Sequence, residues 1–361
     1  MRPRPSADQS ARVLLCGYYG EHNLGDDALL EVLLEQLPAG WSPLVTAHDQ
    51  ALVARRFGVD TVDRRNLRQV LACLGRSQAL VLGGGSLLQD ATSIQSLIYY
   101  LLLILVARLR GRVVLLWGQG LGPLRRGSSR LLTRLVLPLV QGISWRDGDS
   151  AALSRHWGIK AQQGSDPVWA LEPQPWKGQG GPILLCWRPL RSLPASGWRV
   201  YLEALAQLAE NLDRPVLWLP FHQDQDRGLL ESLTCSGVVP PSLQRRSREI
   251  QAVDPQEALA WFSSASLVIA MRLHGLILAS LAGSPCAALS YDPKVAAAAA
   301  GLGCPCQPLD QAAPPDLARQ WRALVDQPPD PAPRDRLRQQ TAVHRSLLQL
   351  LARDPSRLSS A

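Results

Sequence analysis

The feature that most constrains this chain is a repeated alternation of short apolar, β-branched runs with helical stretches, interrupted once and then resumed. Strand followed by helix, many times over, is the pattern of a parallel sheet with right-handed crossovers. In the first half the expected strands are Val13–Gly17, Leu44–Ala47, Ala79–Leu82, Val113–Trp117 and Gly142–Trp145. Helices are expected over Asp26–Leu37, Ser93–Arg110, Ser128–Leu139 and Asp149–Trp157. The pattern stops in the proline- and glycine-rich LEPQPWKGQGGP, which reads as a linker. It resumes with strands Ile183–Trp187, Val216–Leu219, Leu267–Ala270 and Cys286–Ser290 and helices Gly197–Asn211, Asp226–Leu233, Pro255–Ser264 and His274–Ala282.

The expected fold class is therefore α/β, with two Rossmann-like doubly wound domains facing a cleft. The domains run over 1–172 and 183–330, with the linker at 173–182 and a C-terminal helix and tail at 331–361. At 361 residues and 46% hydrophobic, the chain can fill two cores without a metal or disulfide staple. In open sheets of this kind ligands bind at the carboxyl ends of the strands, so loops there are the places to look for chemistry. The tail reads as helical from Pro333 to Ala352, with leucines that suit either folding back over the first domain or an outside interaction helix. DPSRLSSA after it reads as disordered.

The charge of +8 suits anionic partners without choosing among them. Basic residues read as dispersed, with no basic stripe interleaved by aromatics, so nucleic acid is not an expected partner. The seven cysteines are scattered and form no C-x-x-C pair, so no metal site is expected and a reducing, cytoplasmic setting is. The opening MRPRPSADQS has no apolar core and does not read as a signal peptide. The longest apolar run, Leu97–Ala107, falls well short of the roughly 20 residues that span a bilayer. It reads as a helix buried against a sheet, the alternative being peripheral contact with the inner membrane face.

Several strand ends carry polar or glycine-rich loops. After the first strand come Gly17 and then Asn23-Leu24-Gly25-Asp26-Asp27, where carboxylates at a helix start disfavour a phosphate and the G-x-G-x-x-G spacing is missing. One of the two aspartates is expected to cap the helix and the other to meet a sugar hydroxyl. Gly83-Gly84-Gly85 and Gly118-Gln119-Gly120 end successive strands, where backbone amides can approach a ligand. In the second half, Arg188 ends the strand after the linker. Met271-Arg272-Leu273-His274-Gly275 joins a strand to a helix. A guanidinium and an imidazole at the positive end of a helix need an anion, so Arg272, His274 and the helix amides form a candidate phosphate or carboxylate pocket. Lys294 sits in the first turn of another helix, again the unfavourable end for a cation.

Taken in order, these motifs resemble the polysaccharide pyruvyl transferase family, its CsaB branch most closely. The residues that carry the resemblance are Gly17-Tyr18-Tyr19-Gly20 with Asn23-Leu24-Gly25-Asp26, Leu82 to Asp90, Gly118 to Pro123, Arg146-Asp147, Trp187-Arg188-Pro189, Met271-Arg272-Leu273-His274 and Tyr291 to Val295. The resemblance implies a GT-B-like pair of domains, no metal or cofactor, and phosphoenolpyruvate as co-substrate. It also implies a sugar or lipid-linked saccharide of the cell envelope as acceptor. The family's phosphoenolpyruvate-binding residues correspond to Arg188, Arg272, Leu273 and His274, which puts phosphoenolpyruvate on the second domain and leaves the first as the acceptor side. Asp26 is the candidate base; Gly17, Asn23, Asp27, Gly83, Gly84, Gly85, Gln119 and Lys294 are candidate substrate contacts. Gly275 departs from the family, where Ala is common, a change expected to matter little. The rival readings are a nucleotide-sugar glycosyltransferase of the same fold and a non-catalytic envelope-assembly protein.

Overall fold

The computed structural model describes residues 11–352; the segments MRPRPSADQS and DPSRLSSA lie outside them. The strands in chain order are β1 (Ala11–Tyr19), β2 (Trp41–Ala47), β3 (Asp60–Asp63), β4 (Ala79–Gly83), β5 (Val113–Gln119), β6 (Gly142–Trp145), β7 (Gln162–Gln163), β8 (Ile183–Cys186), β9 (Val216–Trp218), β10 (Ser247–Glu249), β11 (Leu267–Ala270), β12 (Cys286–Ser290) and β13 (Cys306–Pro308). They form two sheets, β3-β2-β1-β4-β5-β6-β7 and β10-β9-β8-β11-β12-β13, with every pairing between these strands parallel. Each sheet is built outward on one side and then on the other, so the winding reverses between β1 and β4 and between β8 and β11. These reversals are the switch points at which such sheets take ligands.

The described residues group into two compact units: 11–21, 26–170 and 337–352 in one, 22–25 and 171–336 in the other. In the first, β4 and β5 are buried along their whole length, and in the second β8, β11 and β12 are. Burial on both faces is why these strands are unbroken apolar runs and stood out in the sequence. Three of the indoles in the second unit's core touch one another: Trp187 lies 5.8 Å from Trp198 and 5.4 Å edge-on to Trp218, centroid to centroid. Each large apolar side chain so buried contributes about 1.5–3 kcal/mol. Because Trp187 immediately precedes Arg188, that packing fixes the strand end from which the guanidinium leaves.

The C-terminal helix Ala342–Leu348 packs on β5 and β6 within the first unit. Leu347, Leu348 and Leu351 are buried, and Gly142 and Gly164 lack the Cβ atoms that would collide with this segment. His344 sits at its centre, with Nδ1 2.8 Å from Ser144 Oγ and Nε2 2.7 Å from Ser165 O.

Some elements differ from the expectation. The tail is not one helix: Pro331–Gln340 is followed by Ala342–Leu348 and a 3-10 turn at Gln349–Ala352. The helix expected over Ser128–Leu139 runs Gly127–Val136 and tightens to 3-10 geometry at Leu137–Leu139, where Pro138 cannot donate to the ladder. The stretch Asp226–Leu233 divides, because Gly228 takes a left-handed conformation with φ 75°.

Candidate functional site

Four neighbouring strands of the second sheet, β9, β8, β11 and β12, present their carboxyl ends side by side. Cys186 pairs with Ala270, and the Met271 N–H still donates to Cys186 O at 3.0 Å. Arg188 and Arg272 each lie two residues past that pair. They therefore leave adjacent strand ends, on the two sides of the switch point.

Arg188 is held by Tyr291, the first residue after β12. Its Nη1 donates to the Tyr291 hydroxyl at 3.0 Å, and its guanidinium carbon lies 5.0 Å from the ring centroid. Its buried Nε has no hydrogen-bond partner, a donor that a bound anion would satisfy.

Arg272 precedes the helix Leu273–Leu281 at a start that no side chain caps. Its Nε donates to Asp226 Oδ2 at 3.0 Å, and its Nη2 donates to Asp226 Oδ1 and, at 3.2 Å, to Gln225 Oε1. Asp226 is fully buried, and its Oδ2 also accepts the N–H groups of Phe221 (3.2 Å) and His222 (2.9 Å). The loop after β9 thus locks the guanidinium with a two-pronged ion pair. Neither Asp226 nor Gln225 is signalled by the sequence as part of a site, since QDQD reads as an ordinary acidic helix start.

His274 is half-buried in the first helical turn beside the half-buried Leu273. It packs against Gly25, where an added Cβ would lie 2.7 Å from the imidazole Cγ. Gly25 belongs to the short segment His22–Gly25 that groups with the second unit. That segment is fastened there by an antiparallel bridge between Asn23 and His222, by Leu24 N–H donating to Phe221 O (3.1 Å), and by Gln223 N–H donating to His22 O (2.9 Å). Asn23 Oδ1 also accepts the Gly25 N–H at 3.0 Å. Lys294, half-buried, opens the helix after β12, its N–H accepted by the cap Asp292. Gly275 is tighter than expected, because a Cβ there would meet Cys186 Cβ at 3.1 Å.

The other candidates lie in the first unit and largely hold it together. The Tyr19 hydroxyl donates to Gly83 O at 2.8 Å, and a Cβ at Gly17 or Gly83 would strike Tyr19. Gly84 has φ 62°, packs on Leu29, and donates its N–H to Trp117 O at 2.8 Å. Gly85 O accepts the Gly120 N–H at 2.7 Å. The fully buried Gln119 uses both ends of its amide on this loop, donating to Gly84 O (2.8 Å) and accepting from Leu87 N–H (3.4 Å). Asp26 and Asp27 both lie in the first turn of the helix Leu24–Gln36, which starts before either of them. Asp27 is buried and ion-paired with Arg56. Arg146 likewise binds Asp166 (2.8 Å) and Ser86 Oγ (3.1 Å). Among the described residues no group of three or more His, Cys, Asp or Glu could hold a metal ion.

Two fixed guanidinium groups, an imidazole and a helix start that no side chain caps can hold a small ligand with two anionic groups and exchange a proton with it.

Comparison with known proteins bears on this geometry at two levels. Among solved structures, the chain is similar to the UDP-GlcNAc 2-epimerase of Methanocaldococcus jannaschii (TM-score 0.60, 11% identity, 93% of this chain and 99% of that one). It is also similar to the Anabaena protein HepE crystallised with UDP-glucose (TM-score 0.54, 12% identity, 96% and 97%). A third such structure is a putative UDP-N-acetylglucosamine 2-epimerase from Listeria monocytogenes (TM-score 0.58, 13% identity, 98% and 97%). At these identities the likeness shows the fold, a GT-B-like pair of α/β domains. No curated protein matches the chain. The family model for polysaccharide pyruvyl transferase matches residues 23–293, three quarters of the chain, and so the chain belongs to the polysaccharide pyruvyl transferase family.

Proposed function

We propose that this protein transfers the pyruvyl group of phosphoenolpyruvate to a sugar of a cell-envelope polysaccharide or its lipid-linked precursor, in the manner of the CsaB-like branch of its family. The observation that carries the reading is the pair Arg188 and Arg272 on adjacent strand ends, one with an unspent buried donor and the other opening a helix beside His274. Phosphoenolpyruvate has a carboxylate and a phosphate on one carbon, and two forked cations suit two such groups.

The reaction follows from the substrate's chemistry. Proton transfer from His274 to the methylene carbon makes a methyl group and leaves the central carbon electrophilic. A sugar hydroxyl oxygen bonds to that carbon and loses its proton. The carbon–oxygen bond to phosphate then breaks, phosphate leaves with the electron pair, and a second hydroxyl of the sugar closes the cyclic ketal and loses its proton. Arg188 and Arg272 hold the anionic groups throughout and offset charge on the departing phosphate. No cofactor enters this scheme.

The test is to incubate the protein with phosphoenolpyruvate and candidate saccharides, following inorganic phosphate release and pyruvyl addition by mass spectrometry. Phosphate release that depends on a sugar acceptor, and that His274→Ala reduces at least about 100-fold without unfolding the protein, is the expected result. Turnover with nucleotide-sugar donors and none with phosphoenolpyruvate refutes the reading.

A further inference from the structure

The arginines are less dispersed than they read along the chain. Residues 91–146 hold eight Arg and no Lys, Asp or Glu, so this stretch accounts for the whole net charge of +8 and the rest of the chain is balanced. It also contains two neighbouring helices of the first unit, Ile94–Leu109 and Gly127–Val136.

These helices expose apolar side chains where surface helices ordinarily expose polar ones. On the first, Ile98, Leu102, Leu105 and Leu109 share one helical stripe, with Leu109 78% exposed. The second is inverted: Ser129 and Thr133 are buried, while Leu131 and Leu135 are 58% and 62% exposed. With Leu132 and Leu139, these two helices and the turn after them carry seven of the ten large apolar side chains that the described residues expose. Monomeric proteins seldom leave a patch of this kind open without a use for it.

We infer that this face docks onto an anionic lipid bilayer. The charge pattern selects that occupant. Arg110, Arg125, Arg126, Arg130 and Arg134 are exposed around the leucines, and none forms an ion pair among the described residues. A second copy of the chain meeting this face symmetrically would bring arginine against arginine. Acidic headgroups would instead neutralise the guanidinium groups while the leucines enter the acyl boundary, with the arginine stems lying along the interface. No helix among the described residues is long and apolar enough to cross a membrane, so the contact is one of lying on the surface. The inference is independent of the donor proposed above.

The test is co-sedimentation of the full chain with vesicles of phosphatidylcholine alone or mixed with phosphatidylglycerol. Binding is expected only to the mixed vesicles and should weaken with added salt. Arg125→Gln/Arg134→Gln should lower the partition coefficient about 30-fold, at roughly fivefold for each arginine near an anionic surface. Leu131→Asn/Leu135→Asn should abolish binding. Both double variants alter solvent-facing positions, so their thermal unfolding should match the parent protein's. Three results overturn the inference: no binding to the mixed vesicles, variants that bind like the parent, or light scattering that shows a dimer dissociated by the leucine variant.

Discussion

Asp226 is the residue on which the geometry of the site most depends, although it is placed to touch Arg272 rather than the substrate. Replacing it with Asn keeps a similar shape and removes the charge. Asp226→Asn should raise the KM for phosphoenolpyruvate at least about tenfold, the cost of losing a charge-assisted hydrogen bond. It should also lower the melting temperature, because breaking a buried pair costs about 3–5 kcal/mol. An unchanged KM in steady-state kinetics would show that Arg272 is placed by something else. Gly25→Ala separates position from chemistry in another way, since the new methyl displaces the imidazole of His274. Its kcat/KM should fall about 100-fold, as expected for a misplacement of about 1 Å, while phosphoenolpyruvate binding changes much less. Arg188, Arg272 and His274 drew notice in the sequence because a cation at a strand end or helix start is anomalous. Asp226 was not, since an acid at a helix start is ordinary. Gln119 and Asp27 show the reverse: their types and positions suit a ligand contact, and only the folded chain shows Gln119 bonded into the Gly84 loop and Asp27 paired with Arg56.

The elements carry a second set of consequences. Burial depresses the pKa of His344 in the C-terminal helix, with the Ser165 carbonyl and Asp166 opposing the shift. A histidine whose folded pKa lies below its unfolded value adds a pH dependence of fixed sign. Its contribution is complete above the ordinary value of 6.5 and is lost as the pH falls below it. The slope from this one group is at most about 1.4 kcal/mol per pH unit. Melting temperatures across that range should therefore fall with acid more steeply for the parent protein than for His344→Gln; equal slopes would contradict the assignment. The central strands were readable because burial on both faces makes them apolar throughout. The edge strands β3, β7, β10 and β13 read DTVD, QQ, SRE and CQP, and nothing in their composition separates them from loops. The helix Ile94–Leu109 was recognised from its apolar run, but its partner Gly127–Val136, with hydroxyls inward and leucines outward, reads in sequence like any amphipathic helix.

At the scale of the molecule, two sheets of the same winding place their switch points at β1/β4 and β8/β11. In the first unit that position is filled by glycines, Tyr19 and Gln119 packed on one another; in the second it carries Arg188 and Arg272. The family match spans residues from both units, while the cationic groups proposed to bind the donor belong to the second. Calorimetric titration of phosphoenolpyruvate into the protein tests this assignment most directly, with Arg188→Gln and Arg272→Gln measured alongside. The account predicts that the parent protein binds phosphoenolpyruvate and that each variant, still folded, binds it at least about tenfold more weakly. Binding that survives both substitutions undiminished, or a parent protein that takes up a nucleotide sugar and not phosphoenolpyruvate, would contradict it.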